Sequence, residues 1–194
     1  MKITPWTGAG ATVLALALAA CSTTPGQADQ ANPVEGDAMA TTSTVERAHV
    51  NLASASGSLV SGRLVVTPMA GGLHFRGEIG GLQPGATHAI HVHEKGDCSA
   101  ADATSAGGHF NPGDDMHGRV SSHDHHAGDM DNIVADAKGV AQVDVHADGP
   151  VLGGGALNDA LNRAVIVHAA PDDYVSQPTG NAGARVACGI IQQG

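Results

Sequence analysis

Short apolar segments separated by glycine-rich connections constrain the fold of this chain more than any other feature. The segments are rich in Val, Ile and Ala, and several alternate apolar and polar residues with the period of two that a half-buried strand shows. No stretch shows a convincing helical period of 3.6 residues. We therefore predict an all-β domain in which eight strands form a flattened barrel or sandwich. The predicted strands cover residues 45–52, 57–66 (ended by Pro68), 72–79, 87–93, 132–136, 140–146, 164–168 and 185–191.

Two connections are longer than a barrel of this size requires. Residues 94–129 and 169–184 contain no strand pattern. Long loops without secondary structure in a compact domain are usually functional. We therefore expect the functional residues to lie in or beside these two loops.

The charge balance excludes one class of partner. Nineteen Asp and Glu against nine Lys and Arg give a formal net charge of −10. A nucleic-acid-binding domain would instead show a basic patch, so we expect no nucleic-acid partner. Charged residues make up 14% of the chain and hydrophobic residues 42%, which also argues against an acidic disordered chain.

The N-terminal residues have the pattern of an export signal. Residues 11–20 form an apolar stretch that is too short to span a bilayer and ends in small residues. The end of this stretch and the next residue, Leu18-Ala19-Ala20-Cys21, resemble the lipobox of bacterial lipoproteins, in which the cysteine is lipidated. An ordinary cleaved signal is the alternative. We predict a signal peptide over residues 1–20, a lipidated Cys21 with a flexible tether over residues 21–44, and the folded domain over residues 45–194.

A lipid anchor at Cys21 would determine where the protein works. A diacylglyceryl group plus an acyl chain is sufficient for stable membrane anchoring. We therefore expect the protein to be held at a membrane of the cell envelope and to face the periplasm. Ser22 favours the outer over the inner membrane, by analogy with lipoprotein sorting.

Two cysteines remain once Cys21 is assigned to the lipid. These are Cys98 and Cys188. An even number of cysteines in an exported protein favours a disulfide between them. Two buried free thiols are the alternative. A bridge would close a loop of about 90 residues, which the chain-entropy model values at roughly 4 to 5 kcal/mol.

Histidine is over-represented, because the 12 histidines outnumber the nine Lys and Arg combined. His91 and His93 are two residues apart on a predicted strand, so both project from one face and can bind the same ion. His168 ends another predicted strand and can supply a third nitrogen. Three or four imidazoles suit copper(II), which binds nitrogen ligands most strongly among the divalent first-row metals.

The first long loop contains a second group of candidate ligands. His109, His117 and His126 are spaced eight and nine residues apart, and Asp129 follows three residues later. Three nitrogens and one carboxylate suit a tetrahedral zinc site. On spacing alone, a solvated and weakly metal-adsorbing histidine tract is equally compatible with these positions.

Four short segments carry a family resemblance. They are His91-Val-His-Glu94, Gly107-Gly-His-Phe-Asn-Pro112, His126-Ala-Gly-Asp129 and Thr179-Gly-Asn-Ala-Gly-Ala-Arg-Val-Ala-Cys-Gly189. In this order, and with nearly this spacing, they resemble the signature segments of the copper/zinc superoxide dismutases. The resemblance covers nearly the whole domain and implies the family fold, an eight-stranded Greek-key barrel.

The resemblance implies two metal sites that share one ligand. His109 would bridge both metals as an imidazolate. His126 is preferred over the adjacent His125, because the family pattern His-x-Gly-Asp requires it. The implied copper ligands are His91, His93, His109 and His168, and the implied zinc ligands are His109, His117, His126 and Asp129.

The resemblance also assigns residues outside the ligand sets. Arg185 matches an arginine beside the copper, and Asp172 matches a carboxylate that accepts hydrogen bonds from one copper ligand and one zinc ligand. Cys98 and Cys188 match the family disulfide, and the position of Cys98 is typical of the bacterial branch. The connection over residues 173–179 is shorter than in animal members and has no lysine to guide an anion.

The activity implied by the resemblance is dismutation of superoxide to O₂ and H₂O₂. Copper would change oxidation state, whereas zinc has no redox chemistry and would be structural. His109 could supply a proton as a general acid, and Arg185 could attract the anion to an acidic protein. The alternative is a non-enzymatic copper/zinc buffer or chaperone lipoprotein on the same fold, which would not need Arg185 or Asp172. Both dimers and monomers occur in the bacterial branch, so a homodimer is one of two expected assemblies.

The remaining six histidines need no role at these metals. His88 has the opposite strand parity to His91 and His93, so we expect it to miss the metal. His123 and His125 either are solvated or extend a metal-collecting surface beside the zinc ligands. The other three, expected to be exposed or hydrogen-bonded strand residues, are His49, His74 and His146.

Overall fold

The computed structural model describes residues 38–194, in which strands are joined by turns and loops. The strands are Ala48–Ser54 (β1), Ser61–Met69 (β2), Gly72–Gly80 (β3), Thr87–His88 (β4), Ile90–His93 (β5), Ile133–Val134 (β6), Ala141–Asp148 (β7), Ala164–His168 (β8) and Arg185–Gln193 (β9). A 3₁₀ helix of three residues, Thr104–Ala106, interrupts the first long loop. Nothing helical within residues 38–194 is long and apolar enough to cross a membrane. The all-β prediction is confirmed.

Most of the strands form one curled antiparallel sheet. Its strand order is β5-β8-β9-β1-β2-β3-β7, and β4 pairs separately with β6. The chain crosses from β3 near one edge of the sheet to β5 at the other, and β7 and β8 are likewise far apart. Such long returns between hairpin-connected strands are the connections of a Greek key.

The core lies on the concave face of this sheet and follows the period-two pattern of the sequence. Leu73, Phe75 and Ile79 alternate along β3 and are completely buried. Leu64 and Val66 occupy the matching positions on β2, and Val66 pairs directly with Phe75. Each such side chain contributes about 1.5 to 3 kcal/mol by its removal from water. The alternation therefore fixes which face of each strand turns inward.

The strands β5 and β8 are buried on both faces, unlike β2 and β3. Ile90 and Val92 of β5 belong to the main core. The alternate residues His91 and His93 must therefore point to the opposite face. On β8, Ile166 likewise belongs to a smaller apolar cluster under the first long loop. The two long loops thus cover this end of the sheet and create a buried layer outside the main core.

One predicted strand, residues 87–93, is two strands in the structure. The break is at Ala89, whose N–H donates to the carbonyl of Ala170 and whose carbonyl accepts from the N–H of His168. Before the break β4 pairs with β6, and after it β5 pairs with β8. The chain changes partners at this residue, which the apolar pattern does not reveal.

The expected end of β2 before Pro68 is wrong, because the strand continues to Met69. Pro68 pairs with Leu73 of β3, whereas the ladder between β1 and β2 ends at Ala48 and Val66. Beyond that point one edge of β2 has no neighbour in the sheet. A proline is tolerated at such an edge, because its missing N–H can face away from the ladder.

The C-terminal end of the predicted tether packs against the domain. The N–H of Ala40 donates to Asn158 Oδ1, and its carbonyl accepts from Asn158 Nδ2, both at 2.8 Å. The N–H of Thr44 donates to the carbonyl of Leu152 at 3.0 Å. We call residues 38–44 the docked segment.

The other N-terminal predictions lie outside the described residues. These are the signal peptide over residues 1–20, the lipidated Cys21 and residues 21–37 of the tether.

Candidate metal centre

Four buried histidines converge on the outer face of β5 and β8. His91 and His93 project from β5, and His168 ends the adjacent strand β8. His109 lies beside them because it forms an isolated β-bridge with His93. One nitrogen atom from each of the four rings lies within 4.8 Å of the others. The structure thus brings together all four residues of the predicted copper set.

Each of these four rings has one nitrogen without a hydrogen-bond partner among the described residues. Buried polar atoms of this kind are costly unless something satisfies them. Four imidazole lone pairs in one buried place are a donor set that fits copper. The atoms are His91 Nδ1, His93 Nε2, His109 Nε2 and His168 Nε2.

The second nitrogen of each ring fixes its orientation. His91 Nε2 donates to Asp172 Oδ2 at 2.8 Å, and His93 Nδ1 donates to the carbonyl of Gly107 at 3.0 Å. Carboxylate and carbonyl oxygens only accept, so the hydrogen sits on the bonded nitrogen and the lone pair on the other. This is the outer hydrogen bonding that metal-binding histidines have.

Burial keeps three rings of this set neutral. It lowers the pKa of His93 and His168 well below the ordinary value, and neighbouring imidazoles lower both further. Burial also lowers the pKa of His109 to about 4, although Asp129 opposes the shift. A neutral imidazole is the form that binds a metal, so no proton has to leave these three rings at neutral pH.

A second set of side chains gathers around Asp129. Its Oδ1 accepts from His109 Nδ1 at 2.8 Å. His117 Nδ1 lies 3.0 Å from Oδ2 without hydrogen-bond geometry, and His126 Nδ1 lies 3.5 Å from Oδ1. All four side chains are buried, and their ligand atoms lie within 4.8 Å of one another. Three imidazoles around one carboxylate fit a tetrahedral zinc ion.

Electrostatics favour a cation in this second set. Burial raises the pKa of Asp129, but the surrounding imidazoles of His109, His117 and His126 outweigh it and hold that pKa well below its usual range. The carboxylate is therefore ionised and available as a ligand at any ordinary pH.

His109 is the one side chain that belongs to both sets. Its Nδ1 points to Asp129 of the second set, and its Nε2 is one of the unpartnered nitrogens of the first. The imidazole ring therefore joins the two sets through its opposite nitrogens.

Asp172 links the two sets a second time. Its Oδ2 accepts from His91 Nε2 at 2.8 Å and its Oδ1 from His117 Nε2 at 2.9 Å. Burial raises the pKa of Asp172, but these hydrogen bonds outweigh it and hold the pKa below its usual range. Burial lowers the pKa of His117, yet the adjacent carboxylates of Asp129 and Asp172 raise it to about 9. Asn132 then fixes the backbone of Asp172 through two hydrogen bonds of 2.8 and 2.9 Å.

Gly180 makes room for this linking carboxylate, so we expect Gly180→Ala to weaken the centre. Its φ is +64°, and a Cβ there would overlap Asp172 Oδ1 and approach His117 Nε2. Displacing such an outer partner costs about 10- to 100-fold in metal affinity. Competition with a chromogenic chelator measures this for zinc. The control is Gly183→Ala, which has the same backbone strain (φ +78°) but only ordinary contact with Ala170; equal affinities of the two variants would contradict the explanation.

Arg185 is held beside the first set by backbone carbonyls. Its Nη1 donates to Ala103 at 2.8 Å and its Nη2 to Gly107 at 2.6 Å. The same carbonyl of Gly107 accepts from His93, and Arg185 pairs with His168 across β8 and β9. Burial lowers the pKa of Arg185, but an arginine stays charged at neutral pH. A fixed positive charge therefore lies next to the four-histidine set.

The disulfide between Cys98 and Cys188 is present, with a Cα–Cα distance of 5.8 Å across 90 residues. Cys188 lies on β9, three residues after Arg185. The bridge ties the first long loop to β9, and that loop carries the carbonyls of Ala103 and Gly107 that hold Arg185.

The sequence did not indicate several supporting residues. Gly107 acts through its carbonyl oxygen, which has no signature in the side-chain pattern. Arg163 stacks on the ring of Phe110 at 3.9 Å and donates to the carbonyl of Glu94, which clamps the start of the loop around His109. Recognising such a stack requires knowing that two distant segments meet.

The remaining histidines of the described region lie outside both sets. His88 is buried and its Nδ1 donates to the carbonyl of His168 at 2.9 Å. His126 and not its neighbour His125 belongs to the second set. His125 bonds instead through Nδ1 to the carbonyl of His126 at 2.8 Å. The side chain of His123 is fully exposed.

A family model, curated relatives and solved structures all match this chain to the same family. A family model for copper/zinc superoxide dismutase (SODC) matches residues 60–191. Superoxide dismutase (Cu-Zn) 2 of Aquifex aeolicus is 38% identical over 149 residues, which cover 75% of this chain and 86% of that protein. The Cu-Zn superoxide dismutase of Caulobacter vibrioides is 42% identical over 137 residues, with 68% and 78% coverage. The crystal structure of a SOD-like protein from Bacillus subtilis superposes with a TM-score of 0.67 at 36% identity, covering 74% of this chain and 97% of that one.

Proposed function

This chain belongs to the copper/zinc superoxide dismutase family, and we propose that it dismutates superoxide to O₂ and H₂O₂ at the two joined ligand sets. The observation that carries the proposal is the position of His109. Its two nitrogens face different sets, so a single ring connects a site suited to copper with one suited to zinc.

We assign each metal from its donor atoms. Four imidazole nitrogens suit copper, and three imidazoles with one carboxylate suit zinc. Copper held there would supply the one-electron chemistry that oxidises one superoxide to O₂ and, with uptake of protons, reduces another to H₂O₂, whereas zinc has no redox chemistry. The proposed copper ligands are His91, His93, His109 and His168, and the proposed zinc ligands are His109, His117, His126 and Asp129.

We propose His109 as a proton donor, since formation of H₂O₂ consumes protons. Its Nδ1 side is held by the zinc set, which leaves Nε2 as the atom that can take up a proton and pass it on. A positioned side chain within reach of the reacting oxygen is what general-acid catalysis requires. Asp172 supports this by holding His91 of one set and His117 of the other.

We propose that Arg185 captures and orients the substrate anion. The net charge of −10 repels superoxide at long range. A guanidinium held by two backbone carbonyls reverses the field locally, and it keeps this position because the carbonyls and not a carboxylate bind it.

We expect Arg185→Ala to lower kcat/KM for superoxide about tenfold or more, since electrostatic guidance of this kind raises encounter rates by that order. Metal content should stay at the wild-type level, because Arg185 donates no ligand atom. Pulse generation of superoxide with optical detection gives the rate. Arg63→Ala makes the same charge change on an exposed position of β2 and serves as control. Equal rates for the two variants would remove Arg185 from the mechanism.

The alternative, a metal-buffering or chaperone lipoprotein, would need the ligand sets but not the fixed Arg185 or the linking Asp172. Superoxide decay separates the two functions when the full chain is assayed with both metals and with zinc alone. The enzyme predicts catalytic decay only with copper present. Tight binding of both metals without faster decay would support the buffer.

We also propose that the mature protein is anchored to a membrane of the cell envelope and faces the periplasm, with the outer membrane favoured. The support is the lipobox-like Leu18-Ala19-Ala20-Cys21 followed by Ser22. Loss of the acyl chains removes the anchoring energy, so we expect Cys21→Ala to move the protein from the membrane to the soluble fraction. Fractionation with immunodetection checks this; a variant that still sediments with membranes would contradict it.

A homodimer is the last part of the proposal. The support is the family alone, in which dimers occur. Sedimentation equilibrium of the full chain in detergent distinguishes a dimer from a monomer.

A further inference from the structure

We propose that Asp102 controls how Arg185 captures the substrate anion: its hydrogen bonds fix the loop that holds the guanidinium, and its charge weakens the attraction for the anion. Asp102 lies in the first long loop, directly before Ala103, whose carbonyl accepts from Arg185 Nη1 at 2.8 Å. Neither ligand set contains this aspartate. The inference rests on the proposed function, because it concerns the anion that Arg185 captures there.

Both carbonyls that hold Arg185 flank the same short 3₁₀ helix, Thr104–Ala106. Ala103 directly precedes this helix, and Gly107 directly follows it. The N–H of Gly107 donates back to the carbonyl of Thr104 at 3.1 Å, which completes the helical turn. The position of this helix therefore determines where the two carbonyls meet the guanidinium.

The side chain of Asp102 fixes the start of that helix. Its Oδ1 accepts from the N–H of Thr104 at 3.1 Å and from the Thr104 hydroxyl at 2.7 Å. A bond from an Asp or Asn side chain to the backbone two residues later closes a turn. The residue inside this turn is Ala103, which is completely buried and has a φ of +57°, a conformation that alanine rarely adopts. The two bonds of Asp102 span Ala103 and stabilise that conformation.

Asp102 also acts on Arg185 through its charge. The side chain is exposed, and the hydrogen bonds from Thr104 lower its pKa, so the carboxyl group is ionised at neutral pH. The charge of Arg185 lowers the pKa of Asp102 further. Burial lowers the pKa of Arg185, and the Asp102 carboxylate opposes that shift. The two charges are thus close enough to affect each other, and the carboxylate repels an anion that approaches the guanidinium.

The two effects of Asp102 on anion capture have opposite signs. Its bonds to Thr104 keep the guanidinium in one position, and a charge held in place orients an anion better than a mobile one. Its own negative charge reduces the local attraction. Asparagine keeps the first effect and removes the second, because its side-chain oxygen closes the same turn without a charge. Alanine removes both, so the two variants separate the position of Arg185 from the strength of its field.

Anion binding and turnover by the full chain, loaded with copper and zinc, test the proposal. Azide is the anion probe, and the visible spectrum of copper(II) reports its binding without turnover; kcat/KM for superoxide is measured on the same samples, per bound copper. Asp102→Asn should bind azide about two- to fivefold more tightly and raise kcat/KM by a similar factor, and added salt should reduce both gains. Asp102→Ala should lose these gains and fall below wild type, because Arg185 is no longer held in one position.

Asp97→Asn is the matched control, because Asp97 is exposed in the same loop and its Oδ1 accepts from the N–H of Ser99 at 2.8 Å in the same kind of turn. The charge that acts on its pKa is that of Lys95 and not of Arg185, so this variant should change both readouts much less.

Three outcomes decide the inference. Equal effects of Asp102→Asn and Asp97→Asn would overturn the role of the charge. Equal results for Asp102→Ala and Asp102→Asn would overturn the positioning of Arg185 by the turn. Azide affinities in the expected order, with no superoxide turnover in wild type, would support the action of Asp102 on anion binding and overturn the proposed function instead.

Discussion

Replacing His109 with alanine is expected to remove dismutation and to weaken both metals at once. His109 is the one side chain found in both ligand sets. Its Nδ1 bonds to Asp129, and its Nε2 is one of the unpartnered nitrogens of the copper set. Loss of an outer partner alone costs about 10- to 100-fold in metal affinity, so loss of this direct ligand should cost more than about 100-fold for zinc. Metal content by mass spectrometry and superoxide decay on the same sample measure both effects.

Variants of single-set ligands are the matched controls for His109. We expect His93→Ala to lower copper content and leave zinc bound, because His93 lies in the copper set alone. His117→Ala should do the reverse. If His109→Ala kept its zinc at wild-type affinity, the ring would not be shared between the metals.

Removing the disulfide should cause the largest loss of stability. The bridge between Cys98 and Cys188 closes a loop of 90 residues. Because cross-linking restricts the unfolded chain, its loss in Cys98→Ser/Cys188→Ser should lower the free energy of unfolding by about 4 to 5 kcal/mol. That is a large part of the 5–15 kcal/mol that domains typically have. Urea unfolding of metal-free protein measures the change without the stabilisation that bound metals add.

The same variant should also lose activity when its metals are restored. The carbonyls of Ala103 and Gly107 that hold Arg185 lie on the loop that the bridge anchors. Wild type treated with a thiol reductant should match the double serine variant in both readouts. A change in unfolding free energy below about 1 kcal/mol would contradict this explanation. It would show that the bridge contributes little by restricting the unfolded chain.

The sequence predicts this fold well where one face of a strand is buried. The alternation of Leu73, Phe75 and Ile79 placed β3 within one residue of its observed end. The apolar pattern did not predict the break between β4 and β5, where the chain changes pairing partners. Ala89 is as apolar as its neighbours, and only the tertiary hydrogen bonds separate the two strands. The strand through Pro68 was missed for a similar reason: whether a proline is tolerated depends on which edge of β2 has a neighbour.

The site divides along the same physical line. Side chains that bind metals, such as His91 and His93, can be predicted from their residue type and their spacing in the sequence. Backbone groups such as the carbonyl of Gly107, and anchors such as Asn132, are chosen by position in space and leave no pattern in the chain. Asp172 was predicted only from the resemblance to a family. Its hydrogen bonds reach His91, 81 residues away in the sequence, and His117, 55 residues away.

A copper titration of the zinc-loaded full chain tests the central claim most directly. Superoxide decay is measured after each addition, with unbound copper removed by a chelator. If one copper joined to zinc through His109 dismutates superoxide, the rate should rise linearly to one copper per chain and then stay constant. Stoichiometric copper binding with no gain in the rate of superoxide decay would contradict it.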